Sequence, residues 1–372
     1  MLSELDLLPK DDSGSQYRPL SRDGFEIAII CALPRETNAV LCGMDEIWHD
    51  YRHYYGKAAG DNNSYDFGRI GSHCVVIVTL SNMGSVKSSS ASQSLKMSFN
   101  SIRLALLVGI CGAAPFKKDG SEILLGDVII SEAIVELDYG RQYFDNFERK
   151  DSLLDVHGRP NEEIIGLLQR WKAPTILETL QRGSVMHLRY LLQRLDSEYP
   201  GICQDMLFQS DYVHRHRGNC VNCDETTGAA CQSAISASCN DIFCDESQLV
   251  FRNRLAQIAE ASSAIPGPAI HIGSIGTSNA VLKSALHRDY YSNTEGIIAF
   301  EMEGVGVWDK FNCLVIKGVC DYADSHKNKV WQGYAAASAV AVTKEILRQY
   351  VMPQKLPQPM MPDSKSRDQF SK

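Results

Sequence analysis

The sequence predicts an α/β protein whose central sheet is mixed, largely parallel and flanked by helices. Two observations carry this. Short, continuously apolar runs rich in β-branched residues recur at 25–33, 73–80, 103–110, 127–137, 269–275, 296–302 and 313–320, and helical stretches lie between them. A strand with one wet face alternates polar and apolar residues, whereas an unbroken apolar run has both faces covered, which places helices on either side of the sheet. With 372 residues and 44% hydrophobic content, the chain can bury a substantial core.

The elements follow in order. Residues 1–23 and 353–372 carry Pro, Ser and charge without apolar periodicity and read as flexible tails around one domain, 24–352. After the second apolar run, 85–97 is a Ser/Ala-rich helix whose small side chains permit close packing. The stretch 333–350 is a closing helix with an apolar face and a charged last turn. Residues 151–265 break the alternation: amphipathic helices are expected over 161–171, 174–182 and 185–195, followed by a cysteine-rich loop. Apolar strands resume only at Ala269, so this segment reads as an insertion.

The formal charge of −8 gives no electrostatic footprint for nucleic acid or an anionic membrane. No stretch offers eighteen uninterrupted apolar residues and the N-terminus lacks a signal-peptide pattern, so a cytoplasmic protein acting on a small molecule is expected. Cys31, Cys74, Cys111 and Cys313 sit inside apolar runs and read as small buried hydrophobes.

Four ordered segments carry a more specific signal. IICALPRE (29–36), VTLSNMGSVKSSSAS (78–92) leading into LLVGICGAAP (106–115), LLGDVIISEAIVELDYG (124–140), and FEMEGVGV (300–307) leading into VIKGVCDYADSHKN (315–328) resemble the purine nucleoside phosphorylase and methylthioadenosine/S-adenosylhomocysteine nucleosidase superfamily. The closing segment is also similar to phosphorylase-like domains of fungal multidomain proteins. The resemblance covers most of 25–150 and 268–350. It implies a three-layer nucleoside phosphorylase/nucleosidase fold, a purine nucleoside substrate of adenine type by preference, no cofactor, and a homodimer or higher homo-oligomer.

Cleaving a purine–ribose bond requires an acid for the departing base, acceptors for the sugar and a nucleophile at C1′. Asp321 follows an apolar strand, at the sheet edge where α/β proteins collect ligands, and the resemblance makes it the proton donor toward N7. The bland alternative is a turn cap, the role read for Asp324 with Ser325. Cys320 stands where many relatives have Ser. Glu301 and Glu303 alternate with Met302 at strand period and so are expected on one face. The resemblance makes Glu303 the acceptor for the ribose hydroxyls, a role suited to a carboxylate facing a vicinal diol, and packs Met302 under the sugar.

Glu36 aligns with the carboxylate that positions and deprotonates water in nucleosidases, while Arg35 could serve phosphate. Hexameric phosphorylases resemble R-V-G-[ST]-C-G where this chain has LLVGICG, so Leu107 and Ile110 replace two phosphate donors worth ~1.5–3 kcal/mol each. Water is therefore the expected nucleophile. Phosphorolysis through Arg35, Arg69 or Lys87 is the first alternative, and a nucleoside-sensing module with little catalysis the second. Gly109, Cys111 and Gly112 are expected to line the site. Asn279 and Val281 are base-pocket candidates, Val281 aligning where relatives place a purine-stacking aromatic. Tyr139 and Tyr143 are candidates for the 5′ side.

The loop after 210 contains Cys220-x2-Cys223, with Cys231, Cys239 and Cys244 downstream and His214 and His216 upstream. Cys220, Cys223, Cys239 and Cys244 could hold a structural zinc. The remaining spacings match no familiar finger or ribbon, so a zinc-free loop with free cysteines is the favoured reading, and the chemistry above needs no metal.

Overall fold

The seven apolar runs all form strands in the computed structural model, which describes residues 18–152, 156–218, 220–224, 228–261 and 266–352. They are β1 (Ile27–Cys31), β4 (His73–Thr79), β5 (Leu104–Ala113), β6 (Val128–Glu136), β9 (Ile270–Thr277), β10 (Ile297–Glu301) and β11 (Cys313–Asp321). Two further strands, β2 (Glu46–Ile47) and β3 (Tyr65–Ile70), extend one edge, and β7 (Gly140–Gln142) with β8 (Phe147–Arg149) makes a separate hairpin. Burial explains the continuous runs: every residue of β1, β10 and β11 is buried.

The sheet runs β10-β9-β6-β11-β5-β1-β4-β3-β2 and mixes parallel with antiparallel pairs. It is not an open layer. β10 pairs with β9 on one side and, antiparallel, with β5 on the other, so β5, β11, β6, β9 and β10 close into a five-stranded barrel with β1, β4, β3 and β2 as its extension. The expectation of a three-layer arrangement therefore holds for the extension and is corrected at the barrel, where the long β5 curls far enough to meet β10 at Gly112 and Ala113.

Helices cover both sides. On one, α1 (Pro34–Gly43) and α10 (Gln332–Gln349) pack with α4 (Glu162–Trp171) and α5 (Pro174–Leu195) over Ile29, Leu106 and Ile316. On the other, α3 (Ser85–Ser98) and α9 (Gly304–Trp308) lie over Ile30, Leu107 and Val315, beside an aromatic group of Phe25, Tyr55, Phe67 and Phe99 to which α2 (Arg52–Tyr55) contributes. The remaining helices, α6 (Gln232–Ser236), α7 (Asn253–Glu260) and α8 (Ala285–Glu295), are short and peripheral.

Three local expectations change. The helices expected over 174–182 and 185–195 are one helix, α5, running through Gly183. A Cβ at 183 would sit 2.3 Å from the Glu345 carboxyl carbon of α10, so this glycine serves close helix packing and does not break the helix. The N-terminal tail is docked from Arg18 onward: the Arg18 guanidinium lies 4.8 Å from the Tyr51 ring centre, and Pro19 and Leu20 carbonyls accept from the Tyr55 and Tyr54 hydroxyls. Residues 1–17 and the tail at 353–372 lie outside the described residues. Cys31, Cys111 and Cys313 are buried as read, while Cys74 is only half-buried. Among the described residues, no helix is long and apolar enough to cross a membrane.

A buried carboxylate helps to fasten the end of the insertion to the sheet. Asp127, fully buried before β6, accepts from Leu124 N and Ala269 N at 2.9 Å, from His271 Nε2 at 2.9 Å and from Arg254 of α7 at 2.7 Å. Burial pushes its pKa up, but Arg254 and His271 outweigh this and hold it at about 2. Because the folded pKa is depressed, the carboxylate contributes stability above its unfolded value of about 3.9, and loses it as pH falls through the folded one. Asp127→Asn should cost about 3 kcal/mol at neutral pH, at the low end for a broken buried pair because Arg254 is partly solvated. Urea denaturation should show the gap between wild type and variant closing as pH approaches 2. Equal urea midpoints at pH 7 would remove Asp127 from this role.

Candidate active site

The C-terminal ends of β1, β5, β10 and β11 meet at a cleft of about 400 Å³ whose walls include Glu36, Cys111, Gly112, Met302, Glu303 and Asp321. Each carboxylate reaches it through a different piece of local structure.

Glu36 belongs to the first turn of α1, which opens with Pro34 at a position where a missing N–H costs nothing. Its carboxylate turns back to cap the helix: Oε2 accepts from Ala32 N and Leu33 N at 2.8 Å, and Oε1 accepts from Ile110 N on β5 at 2.9 Å. The clamp fits because residue 109 is glycine, a Cβ there falling 2.2 Å from Oε1. Gly109 thus seats Glu36, and Oε1 keeps a lone pair for a further donor.

Glu303 lies past the end of β10, which finishes at Glu301, so the two carboxylates do not alternate along one strand as expected. The chain turns at Met302, and Glu301 instead caps α9, accepting from Glu303 N at 3.0 Å and Gly304 N at 2.9 Å. Glu303 Oε1 accepts from Gly84 N at 3.2 Å, at the start of α3, where φ of +108° requires glycine. Both carboxylates converge on Lys317, whose Nζ lies 3.5 Å from Glu301 and 3.4 Å from Glu303. Burial alone would lower the Lys317 pKa, but Glu303, Glu301 and Glu36 together hold it above the usual lysine value, so the ammonium stays charged. Burial raises Glu303, Lys317 opposes this, and Glu301 and Glu36 add to the rise.

Asp321 ends β11. Its Oδ1 accepts from Ala323 N at 2.9 Å, bending the chain so that Ala323 adopts φ of +52°. Oδ2 meets the Cys320 thiol at 3.3 Å and Lys327 Nζ at 3.2 Å. The turn-cap reading and the site reading of Asp321 therefore describe one side chain, capping with one oxygen and facing the cleft. Gly112 permits this approach, since a Cβ there would lie 2.7 Å from Oδ1. The Cys320 thiol also lies 3.4 Å from Cys111 O, an alternative acceptor for its one proton, and burial keeps it protonated. Asp324 takes the turn role read for it, accepting from His326 N at 2.9 Å.

The periphery departs further from the sequence reading. Val281 stands half-exposed on the cleft wall, and the aromatic ring lining the cleft belongs to buried Phe300. Asn279 is engaged elsewhere: it accepts from Ser85 N at 3.0 Å and donates to Asp138 at 3.1 Å, tying α3 to the loop after β6. Tyr139 is surface-exposed with Lys150 Nζ 4.9 Å from its ring centre, and Tyr143 is exposed. Of the alternative phosphate ligands, Arg35 lines the cleft mouth, Arg69 is bound to Glu46 at 2.6 Å on the far edge, and Lys87 is exposed on α3. Leu107 is wholly in the core. The sequence reading missed Lys317 and Lys327. Lys317 had a signal, being a lysine inside an apolar run that must be paired if it is buried.

The cysteine-rich loop is also regrouped. Cys220 and Cys223 gather with His216 and Cys231, while Cys239 and Cys244 gather with His214 and with His326 from the segment following Asp321. Cys220, Cys223, Cys239 and Cys244, the set named as a possible zinc site from sequence, do not share one centre, because the loop folds into two separate turns and histidines join each group.

No family model matches the sequence. A nucleotide-binding leucine-rich repeat (NLR)-like protein of Hyaloscypha variabilis is 29% identical over 345 residues, spanning 90% of this chain and 30% of the length of that protein. S-adenosylhomocysteine nucleosidase from Streptococcus pyogenes, in complex with 5-methylthiotubericidin, superimposes with TM-score 0.51 at 12% identity, over 88% of this chain and 98% of that one. Futalosine hydrolase of Helicobacter pylori gives 0.48 at 14% identity, over 88% and 99%. At that level of identity the superposition shows a shared fold: the chain has the fold of the Streptococcus pyogenes nucleosidase.

Proposed function

We propose that this domain hydrolyses the N-glycosidic bond of a purine nucleoside, adenine-type by preference, to free base and ribose. The observation that carries the reading is the convergence of Glu36, Glu303 and Asp321, from the start of α1, the start of α9 and the end of β11, on one cleft. Asp321 gives its proton to N7 as the C1′–N9 bond breaks and the bonding pair stays with the base. The Ala323 N–H, the Cys320 thiol and Lys327 then stabilise the carboxylate left behind. Glu303 uses the lone pairs not taken by Gly84 and Lys317 to accept from the ribose hydroxyls, with Met302 beneath the ring. A water held on the free lone pair of Glu36 Oε1 adds to C1′ and passes its proton to that carboxylate.

The apolar Ile110 on the cleft wall favours water over phosphate, while Leu107 lies in the core, and Arg35, Lys327 and Lys329 are the cations lining the cleft for the phosphorolytic alternative. A second reading takes support from the NLR-like relative: the domain senses a nucleoside inside a larger protein, with homo-oligomerisation supplied there. That reading predicts saturable binding without turnover.

In phosphate-free buffer the protein should release base and ribose from adenosine-type nucleosides, and added phosphate should neither accelerate this nor yield ribose 1-phosphate. Ribose 1-phosphate as the main product would sink the hydrolytic assignment and leave the fold standing. Asp321→Asn should lower kcat about 10²–10⁴-fold with substrate binding nearly intact, and Glu36→Gln should be comparably inactive. Near-normal kcat in either folded variant removes that residue from the mechanism. Glu303→Gln should raise KM and lower kcat together, because sugar orientation is lost in both ground and transition states. Equal handling of ribonucleosides and 2′-deoxynucleosides by the wild type would contradict the diol contact.

A further inference from the structure

Two clusters outside the cleft each bring four metal-ligand atoms within 4.8 Å of one another, and neither takes part in the hydrolysis argued above. We propose that they are two separate tetrahedral zinc sites: a His2Cys2 site of His214, Cys239, Cys244 and His326, and a Cys3His site of His216, Cys220, Cys223 and Cys231.

The first cluster carries the stronger geometry. Cys239 Sγ lies 3.7 Å from His214 Nδ1 and 3.6 Å from His326 Nδ1, and Cys244 Sγ lies 3.4 Å and 3.8 Å from the same atoms. A tetrahedral zinc with Zn–S of ~2.3 Å and Zn–N of ~2.0–2.1 Å sets its S···N edge at about 3.6 Å, so all four edges have the length that one central ion imposes. Hydrogen bonding does not account for the set, because two thiols carry two protons and satisfy at most two of the four edges. The outer nitrogens are occupied as zinc ligands require. His214 Nε2 lies 3.0 Å from Ala234 O and His326 Nε2 lies 2.8 Å from Tyr212 O, which places each ring proton on Nε2 and leaves Nδ1 bare for the metal. His214, Cys239 and His326 are buried, so three bare ligand atoms are shielded from solvent.

The second cluster repeats the pattern at the surface. Cys220-x2-Cys223 forms a tight turn, Cys223 N donating to Cys220 O at 3.1 Å. Cys223 and Cys231 lie 3.8 Å and 3.4 Å from His216 Nδ1. Backbone N–H groups of Cys231 and Ala234 donate to Cys223 Sγ at 3.4 Å and to Cys231 Sγ at 3.5 Å, contacts that favour thiolates. Both clusters offer imidazole nitrogens and free thiols, the donor set that selects zinc over magnesium or calcium.

The two sites differ in what they hold. The Cys3His site closes the loop on itself. The His2Cys2 site joins that loop to the segment that leaves Asp321: His326 stacks 4.0 Å from the Phe208 ring, and Ser325 Oγ accepts from His214 N at 2.9 Å. Zinc there buttresses the turn carrying Asp321 and Lys327 without touching substrate.

The test is zinc content by mass spectrometry on the full chain, purified under reducing conditions without chelator. Two equivalents per chain are expected, one in Cys223→Ser and one in Cys244→Ser. His326→Ala should also lose one, and His326→Cys, which keeps a ligand, should retain both, a rescue that a purely packing role for the ring would not give. Wild type with no bound zinc after zinc reconstitution overturns the proposal, as does a content unchanged by either cysteine substitution. One equivalent abolished by both substitutions would mean a single shared site and overturns it too. Should Cys244→Ser fail to fold, the His326 pair keeps the question decidable. Hydrogen exchange in 321–328 should quicken in His326→Ala and not in Cys223→Ser, and equal exchange would overturn the buttress. None of these readouts requires hydrolysis.

Discussion

The buried ammonium of Lys317 is the charge on which the candidate site depends. It sits in the middle of β11, inside a strand buried at every position, and lies within 3.5 Å of carboxylates from the end of β10 and the start of α9. Without it, Glu301 and Glu303 would face each other in a region of low dielectric with the charge of Glu36 nearby, a costly arrangement at neutral pH. With it, one carboxylate can fasten the turn into α9 while its neighbour keeps lone pairs for a ligand. The two glutamates of F-E-M-E therefore divide the work: Glu301 is consumed by backbone N–H groups and Glu303 is left facing the cleft.

A second constraint runs through all three cleft carboxylates. Each already accepts a backbone N–H: from Ile110 of β5 to Glu36, from Gly84 at the start of α3 to Glu303, and from Ala323 in the turn after β11 to Asp321. These bonds fix side-chain orientation before any ligand arrives, so little reorganisation is left for binding or reaction. They also dictate where side chains must be absent. Gly109 and Gly112 stand where a single methyl would strike Glu36 or Asp321, so the V-G-I-C-G run is a seat for two carboxylates as well as a wall of the cleft.

The insertion is bound into this arrangement. Its later part returns along the barrel, where Asp205 accepts from the Tyr322 hydroxyl at 2.6 Å and Arg252 donates to the same hydroxyl at 3.0 Å. Tyr322 follows Asp321, so the insertion grips the strand end carrying the candidate acid. Its earlier part, α4 and α5, buries Leu168, Trp171 and Leu188 in the same core as α10.

The sequence by itself determined the seven main strands, because burial on both faces leaves an unbroken apolar run, and it determined the order of the segments that carry Glu36, Glu303 and Asp321. It marked α3 and α10 to within a residue at each end. Tertiary structure alone decided the rest. Closure of the barrel depends on β10 meeting β5 across nearly two hundred residues, a pairing with no local signature. Lys317 acquires meaning only when two other elements bring carboxylates to it. Asn279 and Tyr139 read as pocket residues by neighbourhood in sequence, yet one is drawn to Ser85 and Asp138 and the other to the surface by contacts the sequence does not encode locally. His326 shows the same limit from the other side. Within D-Y-A-D-S-H it is one more polar turn residue, and only the fold of the distant loop sets Cys239 and Cys244 against it, because side chains converge through space while spacing records only neighbours along the chain.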